Sequence, residues 1–98
     1  MTLKIAKNVA AENDLVDIWI YSFNQWGVAQ ADKYIDQLDE GLRFLADNPL
    51  VGIDCEHIRK GFFSYPIKKH TVFYKIESKI LRVIRVLGAE MNHKEYIK

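Results

Sequence analysis

The sequence predicts an α+β domain: an N-terminal strand, an α-helical hairpin packed on an antiparallel β-sheet, and a short C-terminal helix. Three observations carry this. Apolar residues recur at helical spacing from residue 10 to residue 48. Short β-branched and aromatic runs fill residues 57–87. Between the two lies a stretch, 49–56, that contains the breakers Pro49 and Gly52. At 98 residues there is room for one core, and 1–98 reads as a single domain. A core this small gives marginal stability, which a bound partner raises by mass action.

Residues 2–7 alternate apolar and polar, as a strand with Leu3 and Ile5 on its covered face. From Ala10 the period changes. Ala11, Leu15, Ile18, Trp19, Ser22 and Trp26 fall on one helical stripe, and both tryptophans read as core packing. Glu12, Asp14 and Asp17 lie near the helix start, where the dipole favours acids. Gly27 ends this helix. Val28, Ala31, Ile35, Leu38, Leu42 and Leu45 form the seam of a second helix, which stops near Asn48 because Pro49 bars continuation. So short a connection makes the two helices antiparallel neighbours.

Residues 49–56 read as a loop holding an idle thiol, Cys55. Residues 57–60, 62–67, 70–77 and 79–87 read as strands. Gly61, Lys68-Lys69 and Ser78-Lys79 are connections short enough to force antiparallel hairpins. Gly88 breaks the last strand, and residues 89–97 are long enough for a short tail helix. The helical hairpin covers one sheet face and leaves the other partly open, with an apolar rim containing Phe62, Phe63 and Tyr65.

Composition excludes several classes. With 49% hydrophobic and 28% charged residues the chain is globular, not disordered. No apolar run approaches the ~18 residues of a membrane span, and the first residues lack a signal-peptide core. Cys55 is the only cysteine, which excludes an internal disulfide and a cysteine-based zinc site. The expectation is a soluble cytoplasmic protein with no metal and no cofactor.

Charge is unevenly placed. Residues 1–56 carry four Lys/Arg and ten Asp/Glu, a balance of −6; residues 57–86 carry eight Lys/Arg and Glu77 alone, a balance of +7. Either one surface meets an anionic partner, or the halves neutralise each other across the fold. The last strand sharpens the question. Period-two alternation puts Arg82 with Ile80, Ile84 and Val86, and Arg85 with Leu81, Val83 and Leu87. A guanidinium stays charged, so each must reach water or meet an acid. Arg85 is the favoured candidate to grip a carboxylate or phosphate of a partner. His70, Tyr74 and Arg59 are further candidates, His70 as an acid or base near neutral pH and Tyr74 as a phosphate-positioning group. No metal spacing, nucleophile elbow or phosphate-binding glycine loop accompanies them.

Six segments resemble, in order and spacing, the ParE toxins of the RelE/ParE superfamily. They are Ala11-x-x-Asp14-Leu15-x-x-Ile18, Trp26-Gly27-x-x-Gln30-Ala31-x-x-Tyr34-x-x-x-Leu38, Leu45-Ala46-x-x-Pro49-x-x-Gly52, Ile58-Arg59-x-Gly61, His70-x-Val72-Phe73-Tyr74, and Ile84-Arg85-Val86-Leu87 followed by Met91. The resemblance implies a type II toxin–antitoxin component, of the kind linked to plasmid stabilisation, wrapped by a ParD-like antitoxin in a hetero-oligomer. It implies DNA gyrase as the target, trapped on cleaved DNA, by binding rather than by catalysis of the toxin's own. Membrane is not involved and direct nucleic-acid binding is not required. Arg59, His70, Tyr74, Arg82, Arg85 and Met91 are then candidates for contact with antitoxin or target.

The tail departs from the family pattern Leu-His-x-x-Met-Asp. Leu87-Gly88-Ala89-Glu90-Met91-Asn92 has glycine for the histidine and asparagine for the aspartate, and His93 stands one step beyond. An alternative is a RelE-like ribosome-dependent mRNA endoribonuclease, for which Arg59, Lys60, His70, Arg85 and Tyr96 are the available set. A third reading is a family member whose toxicity has decayed.

Overall fold

The computed structural model describes residues 2–89 and 91–97. In chain order the elements are β1 (Lys4–Lys7), α1 (Val9–Trp26), α2 (Val28–Asp47), β2 (Ile53–Asp54), β3 (Phe63–Ile67), β4 (His70–Glu77), β5 (Ile80–Gly88) and α3 (His93–Tyr96). The two long helices and the turn between them match the periodicity. Gly27 has φ of 91°, which a β-carbon disfavours, and its N–H donates to Phe23 O at 2.9 Å to close α1. Its carbonyl accepts from Ala31 N at 3.1 Å and so opens α2 without a spacer.

The strands lie in the order β1-β5-β4-β3-β2. β2 to β5 pair antiparallel as expected. β1 runs parallel to β5, so the sheet is mixed rather than wholly antiparallel. The helical hairpin brings the chain back across the sheet, and β1 joins the free edge of β5. Lys4 N–H donates to Lys79 O and Asn8 N–H to Val83 O, both at 2.9 Å. The β3–β4 and β4–β5 loops are the two-residue turns read from the sequence, with Lys68 and Ser78 at positive φ.

Three expected segments differ. Residues 57–60 are not a strand: Cys55 O accepts from both Ile58 N and Arg59 N, at 2.9 and 3.0 Å, and curls them into a turn. A two-residue strand, β2, instead forms inside the expected loop, where Ile53 pairs with Ser64 and Asp54 with Phe63. The tail helix is shorter than 89–97, spanning His93–Tyr96, and Glu90 lies outside the described residues.

The main core lies between hairpin and sheet. Ala11, Leu38, Leu42 and Leu45 from the helices meet Ile67, Val72, Tyr74, Leu81, Val83 and Val86 from the strands. A second cluster, Cys55, Phe62, Phe73, Leu87 and Ile97, sits on the opposite face under the 55–62 loop and the tail. This corrects the apolar rim. Phe62 is buried in the second cluster, while Phe63 and Tyr65 pack against the main core, Tyr65 beside Phe44 at 5.9 Å. Cys55 is buried, with Sγ 3.2 Å from Ser64 Oγ.

The tryptophans also depart from expectation. Trp26 is 63% exposed. Trp19 stacks on Phe23 at 5.2 Å and donates from Nε1 to Asp32 Oδ1 at 2.8 Å. The residues of α1 turned to the core are smaller or farther round the helix: Ala11, Leu15, Ile18 and Ser22.

A break in β5 decides where its arginines go. Register runs from Tyr74↔Val83 to Phe73↔Arg85, so Ile84 is an extra residue, a β-bulge. Alternation fails there. Leu81, Val83 and Val86 face the hairpin, whereas Leu87 joins Phe73 on the other side.

Candidate functional site

β1 stops pairing with β5 at Lys7↔Val83, and beyond that point Asp14 of α1 collects the Val86 N–H. Asp14 Oδ2 accepts from Val86 N at 2.9 Å and from Arg85 Nε at 2.7 Å, while Oδ1 accepts from Arg85 Nη2 at 2.8 Å. The pair is bidentate and largely shielded, with side-chain exposures of 21% and 12%. Arg85 Nη1 also donates to Tyr96 O at 3.2 Å, and its guanidinium lies 5.7 Å from the Tyr96 ring centre. Hydrogen bonding to Asp14 holds the Arg85 guanidinium above its usual range, against the opposing effect of burial. Arg85, favoured from the sequence as a cation offered to a partner, has its charge met inside the fold, where it ties α1, β5 and α3 together.

Arg82 is similarly engaged. It bonds the Glu77 carboxylate, and its Nη1 donates to Asn8 Oδ1 at 3.3 Å. Asn8 therefore spends its side-chain oxygen on Arg82 rather than on capping α1. Lys75 Nζ lies 3.1 Å from the same Glu77. Arg82 first and Lys75 second hold the exposed Glu77 carboxyl below its usual range.

Tyr74 is 0% exposed. Its hydroxyl donates to Pro49 O at 2.8 Å and accepts from Gly52 N at 3.1 Å, pinning the loop before β2. The expectation that it lines a binding surface is corrected: Tyr74 shares the helix-covered face with Val72, and its ring stacks on Phe63 at 5.6 Å. His70 opens β4 half-buried, with Nδ1 2.7 Å from Tyr34 Oη. That hydroxyl accepts from Lys69 N at 3.1 Å, which leaves its proton available to the imidazole. Met91 packs on the second cluster, and its Sδ accepts from Gly88 N at 3.2 Å. His93 reaches back to Gly88: Nε2 is 3.0 Å from Gly88 O, and the ring meets Phe73 edge-on at 5.0 Å. Arg59 and Lys60 are exposed on the 55–62 loop, as are Lys68 and Lys69 in the β3–β4 turn.

The candidates are thus not gathered into one cleft. Arg85 and Tyr96 meet, but around Asp14; Arg82 belongs to Glu77; Tyr74 is internal; Arg59 alone of the six is open to solvent. Among the described residues no group of three or more His, Cys, Asp or Glu is placed to hold a metal, and no helix is long and apolar enough to cross a membrane. Sequence reasoning missed Asp14 and Tyr34, whose partners lie 71 and 36 residues away. It also missed the outer face of α1, whose signal was a second apolar series beside the buried one.

The two internal tyrosines set an alkaline limit. Burial raises Tyr34 and Tyr74 above the ordinary 10.0, more than their backbone hydrogen bonds with Lys69 and Gly52 lower them. Above pH ~10 the unfolded chain releases phenolic protons that the fold retains, so stability falls as pH rises through the raised folded values. Urea unfolding between about pH 8 and pH 11 is expected to show this decline, and Tyr34→Phe/Tyr74→Phe is expected to flatten it. An unchanged slope in the double variant contradicts the assignment.

A family model described as the ParE toxin of type II toxin–antitoxin system, parDE, matches residues 6–93. Toxin ParE1 of Mycobacterium tuberculosis is 32% identical over 93 residues, which cover 94% of this chain and 95% of that protein. Toxin ParE1 of Caulobacter vibrioides is 36% identical over 87 residues, 89% of this chain and 90% of its own. Among solved structures, a chain of the chromosomal ParDE TA system from P. aeruginosa superposes with a TM-score of 0.80 at 17% identity, covering 91% of this chain and 98% of its own. A chain of the toxin–antitoxin complex RelBE2 from Mycobacterium tuberculosis gives 0.66 at 19% identity, covering 90% and 99%. These two likenesses concern the fold.

Proposed function

The chain belongs to the ParE toxin family and is a toxin of a type II toxin–antitoxin system, and on that premise we propose that it acts in the cytoplasm by trapping DNA gyrase on cleaved DNA until a ParD-like antitoxin covers it. The observation that carries this reading is the family match across residues 6–93. The internal engagement of the candidate residues favours binding over cleavage. A ribonuclease needs free groups to activate the 2′-OH, stabilise phosphorane charge and protonate the leaving oxygen. Arg85 is committed to Asp14, and His70 bonds Tyr34. Four cations are exposed in two places: Arg59 and Lys60 on one loop, Lys68 and Lys69 on one turn. These basic tips suit acidic side chains of an antitoxin, with Arg59 the foremost of the six candidates.

Induced expression of the chain in a bacterial host is expected to arrest growth, and co-expression of a ParD-type antitoxin is expected to restore it. Normal growth with the folded chain accumulating in the cells contradicts toxicity and supports the decayed reading that Gly88 and Asn92 raise. Arrest accompanied by cleaved ribosomal mRNA, with gyrase unaffected, favours the RelE-like alternative.

A further inference from the structure

The loop that joins α2 to β2 is pinned from beneath and apolar on top. Val51 N–H donates to Asn48 O at 3.1 Å, and the buried Tyr74 hydroxyl spans Pro49 O and Gly52 N. Between those anchors Leu50 is 79% exposed and Val51 45%. Ile53 in the edge strand β2 is 64% exposed, and Phe44 in the last turn of α2 is 44% exposed. Phe44, Pro49, Leu50 and Val51 line one surface hollow together with Asp47. A side chain as exposed as Leu50 adds little to the stability of the fold, because burial is what an apolar side chain contributes. Contiguous exposed apolar surface of this kind marks an interface. A loop already fixed by hydrogen bonds also loses less entropy on binding than a free one.

Backbone pairing is not what this edge offers. β2 pairs over two residues only, and beyond it the exposed Pro66 of β3 has no N–H to give a further strand. Recognition here falls to side chains. Charge selects the occupant. Residues 44–56 contain Asp47, Asp54 and Glu56, all exposed, and no Lys or Arg. Arg43, just before them, lines a different hollow with Asp39 and Ile5. An acidic antitoxin segment meets like charge at this loop, and so does a second copy, which brings the same three acids. The complement is an apolar pocket bordered by Lys and Arg. An enzyme that grips DNA carries such basic surface, because it must neutralise phosphates. On the gyrase reading above, we propose that the 49–53 loop is the knob with which this toxin seats in gyrase. Leu50 and Val51 enter an apolar pocket, and Asp47, Asp54 and Glu56 meet its basic rim. The basic tips at Arg59 and Lys68 are left to the antitoxin.

The test titrates the full chain and its variants into gyrase supercoiling, and in parallel measures a ParD-type antitoxin by calorimetry. Leu50→Ser/Val51→Ser is expected to raise the concentration for half-inhibition of gyrase at least tenfold. Its circular dichroism is expected to stay unchanged, and its antitoxin affinity to stay within about twofold of the parent. Should the double variant fail to fold, Leu50→Asn alone makes the comparison, with the same expected loss. Glu56→Lys, which reverses one charge of the rim, is expected to weaken inhibition at least threefold. Undiminished inhibition by the folded Leu50→Ser/Val51→Ser variant, where the parent chain inhibits, overturns the knob and leaves the gyrase reading standing. No inhibition by the parent chain itself overturns both. Antitoxin affinity lost while gyrase inhibition is kept also overturns the proposal, because the occupant is then the antitoxin. So does a dimer in sedimentation that the double variant dissociates, because the occupant is then a second copy.

Discussion

Replacing Arg85 by alanine is expected to cost about 3 kcal/mol of stability, within the range for breaking a shielded ion pair from one side. The loss has three sources. Asp14, with a side chain only 12% exposed, loses both guanidinium bonds. Tyr96 loses the cation at its ring and the donor at its carbonyl. The bulge in β5 loses the clamp that fixes it to α1. For a domain of this size ~3 kcal/mol lowers Tm by more than about 10 °C. Thermal melts of Arg85→Ala, Asp14→Ala and the double variant measure it. The account expects the double variant to lose much less than the sum of the singles, since each single strands what the other leaves behind. Additive losses contradict the pairing. Antitoxin affinity is best measured on Arg85→Ala only where the variant remains folded, because weaker binding by an unfolding chain says nothing of a direct contact.

Tyr74→Ala is expected to cost about 4 kcal/mol, as for removal of a buried aromatic ring. Total stability of a small domain is only ~5–15 kcal/mol, so this single change brings the chain near unfolding. Tyr74→Phe separates ring from hydroxyl. It keeps the stacking on Phe63 but leaves Gly52 N–H and Pro49 C=O without their partner, at ~1–2 kcal/mol. Hydrogen exchange at Gly52 is expected to accelerate in Tyr74→Phe while the β4–β5 ladder stays protected. Gly52 is bound into the same arrangement, since a β-carbon there runs into the Tyr74 hydroxyl. A loss below ~1 kcal/mol in Tyr74→Ala, by urea unfolding, contradicts the placement of this ring in the core.

Much of this fold is legible in the sequence because it is local. The seams of α1 and α2, the stop at Gly27 and the two-residue turns after Ile67 and Glu77 all follow from neighbours within a few positions. What escapes is non-local. Nothing near Lys4 announces that it pairs with Ile80 in parallel. The bulge at Ile84 is invisible to period-two counting, which stays in phase on paper and slips in the sheet. That slip misdirects Arg85: the alternation offers it to a partner, while Asp14, 71 residues earlier, reads simply as an acid near a helix start. Tyr74 is misjudged for a different reason, since a tyrosine on a strand has the same pattern whether its hydroxyl meets solvent or a loop carbonyl. Trp19 and Trp26 show the limit of the rule that large apolar residues go inside, because α1 carries two apolar stripes and only one finds a core.

The central claim, a gyrase poison held in check by an antitoxin, is tested most directly by titrating the purified chain into a gyrase supercoiling and DNA-cleavage reaction, with and without a ParD-type antitoxin. The account predicts that supercoiling falls, that cleaved complexes accumulate, and that the antitoxin reverses both. Undiminished supercoiling and no cleaved DNA at micromolar concentrations of folded chain contradict it.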